Sequence, residues 1–485
     1  MADRRRLAHY GRRALAFAGA LALGAAGIAA AALVPWPEAR TEPPSSVVQP
    51  EASGQSRVCP GPLLAIAENA EDASSLTSFS RPERRAASAA DMFATDPETE
   101  QPAETPLAAP QNADAGRDGT PVRLDAEAGT APGGLAGAQS QRAETETQTG
   151  FAAAACGESR DDVWLVAGAT DVGRTSLVLL ANASEVDATV DLEVYGSQGR
   201  IEAPAATGLV IPAGTQRVVS LAGLAPDERM PVVHVVSDGG GVLASIQHSV
   251  IRGLAPGGVE LAGATAAPST DQLIPGFVVG TDGGVDPLDD HADHAEGDDH
   301  PIVRVFAPDG DGDAEVSVSI IPEGGGRGST IDMTLEAGQA GDLALGVLDA
   351  GAYTIRVQAD RPVVAAARAS IVSGDERDFA WYAAAAPLLD EQLAVVPPGP
   401  SPVLHLANGG GEEAEAVVVA GGRERTVTIP AGQAATVSVD AGAALLLGEV
   451  RGLYASISYR GDGQLSSFAI QPPSPEDSPL RVYTR

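Results

Sequence analysis

The stretch IPAGTQRVVSL at residues 211–221 returns as IPAGQAATVSV at 429–439, and a blurred copy, LEAGQAGDLAL, lies between them at 335–345. Upstream of each copy stands a strand with a similar tail: LVLLANAS at 177, IVRVFAPDG at 302 and VLHLANGG at 403. A strand–turn–strand unit repeated at module-sized spacing requires one β module to occur several times along the chain. Gly214, Gly338 and Gly432 hold the third turn position, where a type II turn needs positive φ. Pro212 and Pro430 fix φ just before it and cannot donate to a neighbouring strand, whereas Glu336 stands there in the middle copy.

Around these turns the chain alternates apolar and polar residues in short runs cut by Gly and Pro. Examples are DATVDLEVY at 187–195, AEVSVSII at 314–321 and AYTIRVQA at 352–359. Period two with frequent turns predicts antiparallel sandwiches, and no long stripe at helical spacing competes with it. Aromatics at 4%, against 56 Gly and 36 Pro in 485 residues, suit small β domains better than one large enzyme core. The expected fold class is all-β: three tandem immunoglobulin-like β-sandwich modules, at residues 151–278, 301–397 and 398–485, preceded by one transmembrane helix and a disordered linker.

The N-terminus carries Arg4, Arg5, Arg6, Arg12 and Arg13 ahead of an uncharged run from Ala14 to Val34. As a helix that run spans roughly one hydrocarbon core. It reads as a transmembrane segment at 14–34 with a cytoplasmic basic N-terminus at 1–13 and the bulk of the chain outside. A cleaved signal peptide is the rival reading, since Ala29–Ala32 offer small residues to a peptidase. Residues 35–57 read as a stalk, 58–66 as an isolated strand added to the first module, and 67–150 as a disordered linker with too little apolar surface to fold.

Two cysteines, Cys59 and Cys156, fall on the exported side and predict one disulfide. The formal charge of −34 excludes a nucleic-acid partner, because phosphate backbones need a basic surface. All 31 basic residues are Arg, which with the Ala and Gly excess points to a GC-rich bacterial coding sequence.

The conspicuous polar cluster is DDHADHAEGDDH at 289–300, in the acidic His-rich linker at 279–300. His291, His294 and His300 with nearby carboxylates are weak metal candidates, but no regular element holds them, and a solvated linker is the reading preferred. In DGDGDAE at 309–315 the acids alternate as in the first half of a Ca²⁺ loop, yet Ile320 stands where the bidentate Glu belongs. Arg460-Gly461-Asp462 sits where a hairpin turn is expected. No GxSxG, HExxH or GxxxxGK occurs, so no catalytic residue and no cofactor is expected. His234 is expected to face solvent; His248 and His405 are isolated in the sequence. Trp164, Trp381 and Tyr382 are the aromatics to inspect, with core packing their default role.

CPGPL at 59, DDVWLVAGATDVGRTSLVLLANAS at 161, APGGVE at 255 and IPG at 274 resemble an uncharacterised family of exported actinobacterial proteins known only as a domain of unknown function. The resemblance covers most of the chain from Val58 onward except the linker. It implies a membrane-anchored envelope protein often encoded near glycosyltransferases and supplies no catalytic residues; the acidic His-rich insertion departs from the family.

The expected function is a non-catalytic, single-pass membrane protein that binds or scaffolds a protein or glycan of the cell envelope. Alternatives are an accessory subunit of envelope polysaccharide assembly, and an enzyme whose site forms between modules. The topology is testable: a cysteine replacing Ser45 should react with a membrane-impermeant thiol reagent on intact cells. Labelling only after lysis would reverse the orientation.

Overall fold

The computed structural model describes residues 45–48, 55–66, 75–89, 102–126, 133–280, 300–308, 312–473 and 480–483. The chain forms two compact units, residues 52–476 and the two chain ends, 1–51 with 477–485. In the end unit, strand β1 (Ser45–Val48) pairs antiparallel with β34 (Leu480–Tyr483), so part of the expected stalk is a strand. Residues 14–34 lie outside the described residues; among the described ones, no helix is long and apolar enough to cross a membrane.

The larger unit consists of four quarters, each built from strands that pair in one recurrent order. The second quarter contains β10 (Asp162–Val166), β11 (Arg174–Asn182), β12 (Ala188–Gly196), a split fourth strand made of β13 (Gly199–Ile201) and β14 (Leu209–Ile211), β15 (Thr215–Ser220), β16 (Val232–Asp238), β17 (Leu243–Arg252) and β18 (Ala255–Ala262). Its first, sixth, third and fourth strands form one antiparallel sheet, and its fifth, second, seventh and eighth form the other.

The fourth quarter repeats that order with β26 (Glu391–Val395), β27 (Val403–Asn408), β28 (Ala414–Ala420), β29 (Arg423–Ile429), β30 (Ala434–Ser438), β31 (Ala444–Gly448), β32 (Leu453–Gly461) and β33 (Gln464–Ile470). The third uses β19 (Ser269–Val279), β20 (Ile302–Phe306), β21 (Ala314–Pro322), β22 (Ser329–Leu335), β23 (Ala340–Ala344), β24 (Gly351–Ser373) and β25 (Glu376–Ala383). Here the long β24 serves as sixth strand beside β19 and β21, and as seventh beside β20 and β25.

The recurring turn now has its cause. In each of these quarters it carries the chain from the fourth strand in one sheet to the fifth in the other. Thr215, Gln339 and Gln433 donate N–H to the carbonyls of Pro212, Glu336 and Pro430, closing each turn. Gly214, Gly338 and Gly432 stand at φ of 66°, 69° and 65°.

Residues 75–89, 102–126 and 133–150, expected to belong to a disordered linker, form most of a first quarter. The strand expected to join the module at 151–278, and the start of that module, belong to this quarter too. Its strands are β2 (Ser56–Cys59), β5 (Glu83–Ser88), β6 (Ala103–Pro106), β7 (Val122–Asp125), β8 (Leu135–Glu144) and β9 (Thr149–Ala155). One sheet runs β2–β7–β6 and the other β5–β8–β9, which is the same order without the fourth and fifth strands. Residues 107–121, with the short helix α1 (Ala115–Asp118), stand in their place, and a small hairpin of β3 (Leu64–Ile66) and β4 (Leu76–Ser78) is added. Composition misleads here because β8 and β9 bury mainly alanine, glycine, glutamine and serine, and much of what covers them belongs to other quarters. Ala152 and Ala154, for example, pack with Leu177, Leu179 and Leu261 of the second quarter.

Three further expectations are corrected. The strand order differs from the ABED and CFG sheets of an immunoglobulin domain. β19 pairs with β24 and β26 with β31, so each opens the next quarter instead of closing the previous one. The acidic segment therefore interrupts the third quarter, between its first and second strands, and does not separate two modules.

The quarters close into a ring. The first strand of each packs on the second and seventh of the next: Val58 on Ala181 and Leu243, Trp164 near Phe306, β19 on β27 and β32. The fourth returns to the first, where Leu393 and Val395 pack on Ala87, Ala136 and Ala138. The disulfide Cys59–Cys156 ties the two sheets of the incomplete quarter together, within a cluster that otherwise holds Val122 and Leu124. With a sequence separation of 97, replacing both cysteines by serine should cost about 4–5 kcal/mol on the loop-entropy estimate. An unchanged midpoint in urea unfolding would show that the ring holds this quarter without the bond.

Candidate functional site

The eighth strands of all four quarters, β9, β18, β25 and β33, pack against one another at the centre of the ring. On their shared axis lies Asp378, fully buried. Its Oδ2 accepts N–H bonds from Phe151 at 2.8 Å and Leu465 at 3.1 Å; its Oδ1 accepts from Phe379 at 3.0 Å and Val259 at 3.2 Å. One carboxylate thus receives a backbone donor from each quarter. Beside it Glu260, equally buried, accepts the Leu261 N–H at 2.7 Å and the Ser466 hydroxyl at 2.9 Å, and Ser466 in turn accepts the Ala153 N–H. Burial pushes both carboxyls well above the ordinary carboxylate range, and at Asp378 the four N–H donors oppose that rise.

One equivalent position on the second strands, shown by its seventh-strand partners, holds buried polar groups in two quarters: Arg304 opposite Ala366 and His405 opposite Ser456, with Leu179 opposite Ser245 and the half-buried Arg85 opposite Ala138 in the other two. Arg304 forms a fork on Asp342 at 2.8 and 3.0 Å. It also donates to the carbonyls of Gly168 and Arg229 in the previous quarter, and lies 4.7 Å over the Trp381 ring. His405 bonds Glu323 of the previous quarter through Nδ1 and Ser458 through Nε2. Burial raises the Glu323 carboxyl, but His405, Thr354 and the Gly276 N–H outweigh it and hold the group below its usual range. At the corresponding joint between the first two quarters, Leu179 packs instead with Leu63 and Leu64.

Where the eighth strands end, a cavity of about 90 Å³ opens on the axis. Ala154, Gly263, Ala383 and Ala469 contribute one wall residue from each quarter, with Trp381 and Ser245 deeper among the lining groups. Glu158 and Arg160 also line it, and Glu158 pairs with Arg57 at 2.5 Å. Neither Glu260 nor Asp378 is among the lining residues. A more polar cleft of about 450 Å³, with Arg81, Arg142 and Gln464, lies at the joint between the fourth and first quarters.

The residues singled out from the sequence distribute as follows. Cys59 and Cys156 are bonded to each other. His300 is half-buried ahead of β20, while His291 and His294 lie outside the described residues. No group of three metal-ligating side chains occurs among the described residues. Asp309 and Asp311 also lie outside them, and Asp313 accepts the Ala337 N–H. Arg460-Gly461-Asp462 ends β32 at its hairpin.

His234 does not simply face solvent: its ring stacks on Trp164 at 4.0 Å and bonds Glu193 and Asp162. Trp164, Trp381 and Tyr382 are all buried. His248 and Trp381, far apart in sequence, meet in the interior, where the indole N–H donates to His248 Nδ1 at 3.2 Å and leaves the ring proton on Nε2. Sequence reasoning missed Asp378, Glu260, Arg304 and Glu323. The available signal was a charge inside an apolar strand, as in IVRVF and GVELA.

The chain belongs to a family of unknown function, DUF5719, matched over residues 112–442. That span runs from inside the first quarter into the fourth. No curated protein matches the chain. A Thermotoga maritima crystal structure, 1070, is 14% identical and covers 24% of this chain and 92% of its own, with a TM-score of 0.20. A tetra-tandem repeat from the extending region of a large adhesion protein is 13% identical and covers 86% and 98%, with a TM-score of 0.11. Neither likeness carries an argument at those scores.

The axial carboxylate gives a direct test. Asp378→Asn exchanges one acceptor for an NH₂ and leaves two buried N–H groups without a partner. At about 1–3 kcal/mol each, the loss should be roughly 2–6 kcal/mol of unfolding free energy. Calorimetry on the purified chain checks it, and a melting temperature equal to wild type would refute the role.

Proposed function

We propose that this protein is a non-catalytic binding or scaffold protein of the bacterial cell envelope, anchored by its N-terminal apolar run with the ring outside the cytoplasm. The observation that carries the proposal is the use made of the buried ionisable groups. Glu260, Arg304, Glu323, Asp378 and His405 each bond across a joint between quarters. Groups that in an enzyme would be poised toward a substrate are here engaged in assembling a rigid platform. The disulfide supports an oxidising compartment.

Recognition then falls to the surface. Val172 and Leu254 are 88% and 97% exposed. Their two loops are held together by the Ile251 N–H on the Gly173 carbonyl at 2.7 Å. Two large, exposed apolar side chains on tied loops suit contact with an apolar patch on an envelope partner.

The test is a photo-crosslinking residue at Leu254 of the full chain, activated in intact cells. The expected result is one discrete adduct with an envelope protein, lost when Val172 becomes Asp. Fractionation of the chain with the cytosol, or no adduct from either loop, would overturn the proposal.

A further inference from the structure

We propose that the free edge of β5, in the incomplete first quarter, docks an extended peptide strand of a partner protein. That strand carries a carboxylate and adds to the sheet as the missing fifth strand. The inference does not rest on an envelope role. Two observations carry it.

The first is the edge itself. In the other quarters the second strand lies between the fifth and the seventh, but β5 has only the seventh, β8, beside it. The Ala89 N–H bonds the Gly134 carbonyl, and the Cys156 N–H bonds the Gly137 carbonyl. By the antiparallel alternation, both bonds assign the backbone groups of Glu83, Arg85 and Ala87 to β8. The N–H and C=O groups of Arg84 and Ala86 therefore point out of the sheet. β20, the second strand of the third quarter, is buried at all five positions, whereas β5 is exposed at Glu83 and half-buried from Arg84 to Ala86. Residues 107–121 make their backbone bonds elsewhere: Ala108 with Gly214 and Gln216, Gln111 and Ala113 with Leu76.

The second is charge. At the equivalent position of the second strands, each basic residue in the other quarters is answered by a carboxylate. Arg304 has Asp342, directly opposite it on the fifth strand β23, and His405 has Glu323. Arg85 has no fifth strand opposite it and meets no carboxylate among the described residues.

Together these define the partner. A residue added opposite Arg85 forms a non-hydrogen-bonded pair with it, the arrangement in which cross-strand side chains stand closest. An Asp or Glu there meets the guanidinium as Asp342 meets Arg304, while Arg84 and Ala86 bond the partner's backbone on either side. Glu83 lies on the same face of β5 and repels a second acid two residues along, which fixes the register.

The sequence of β23 with its flanks, GQAGDLALG at 338–346, is such a segment and serves as the probe. Labelled with fluorescein and titrated with the purified full chain, it should give a saturable rise in fluorescence polarisation. The peptide with Asn in place of Asp342 should bind about tenfold more weakly, because a charge-assisted hydrogen bond is lost. Against the Arg85→Ala chain the two peptides should bind alike. Ala86→Pro removes an N–H that points away from β8, at an edge where Pro is tolerated, and should abolish binding with the melting temperature unchanged. Non-saturating polarisation, equal affinity of the two peptides for the unaltered chain, a preference for Asp342 that persists in Arg85→Ala, or full binding by Ala86→Pro would each overturn the site.

Discussion

One carboxylate holding a backbone donor from each of four quarters is the constraint around which the ring is arranged. Four strands meeting at an axis bring their N–H groups into a region that water does not reach, and each unpaired donor there is costly. Asp378 removes that cost with two oxygens, each accepting twice. The arrangement works only when all four strands are in place. Its energy is therefore a property of the closed ring and of no single quarter, and removal of one strand would leave a buried carboxyl short of donors.

The joints differ in chemistry while sharing a position. A leucine, an arginine and a histidine fill equivalent sites at three of them, bonding in the latter two cases to acceptors supplied by the previous quarter. At the closing joint the equivalent is Arg85, whose Nε meets no acceptor among the described residues. That joint also carries the wider polar cleft. It is sealed mainly by the alanine and leucine contacts of β26 on β5 and β8, and by the disulfide that keeps the first quarter in shape. A quarter without its fourth and fifth strands has a core too small to persist alone, and a covalent tie is the usual remedy for such a core.

Much of the outer architecture was legible in the sequence: alternation, the repeated turn and its positive-φ glycine. The first quarter was not, because its alanine-rich strands lack the apolar contrast that marks a half-buried strand, and because its missing strands take the diagnostic turn with them. Quarter boundaries were misplaced by one strand for a related reason. β19 and β26 end one apolar stretch and begin the next sheet, and only their pairing with β24 and β31 assigns them.

The axis was illegible for a deeper reason, and it concerns symmetry. Positions off the axis can hold the same residue in every quarter, which is why the turn recurs. Positions on the axis cannot, because all four side chains converge on one point. The residues before the four donating strands' first bonds are Gly150, Gly258, Asp378 and Gln464. A Cβ at Gly150 or Gly258 would lie 2.6 or 2.7 Å from Asp378 Oδ1. Only one quarter can supply the carboxylate, and at least two must supply nothing at all. The residues that matter most to the assembly are therefore those at which the repeats are obliged to differ, and a search for what the copies share passes over them.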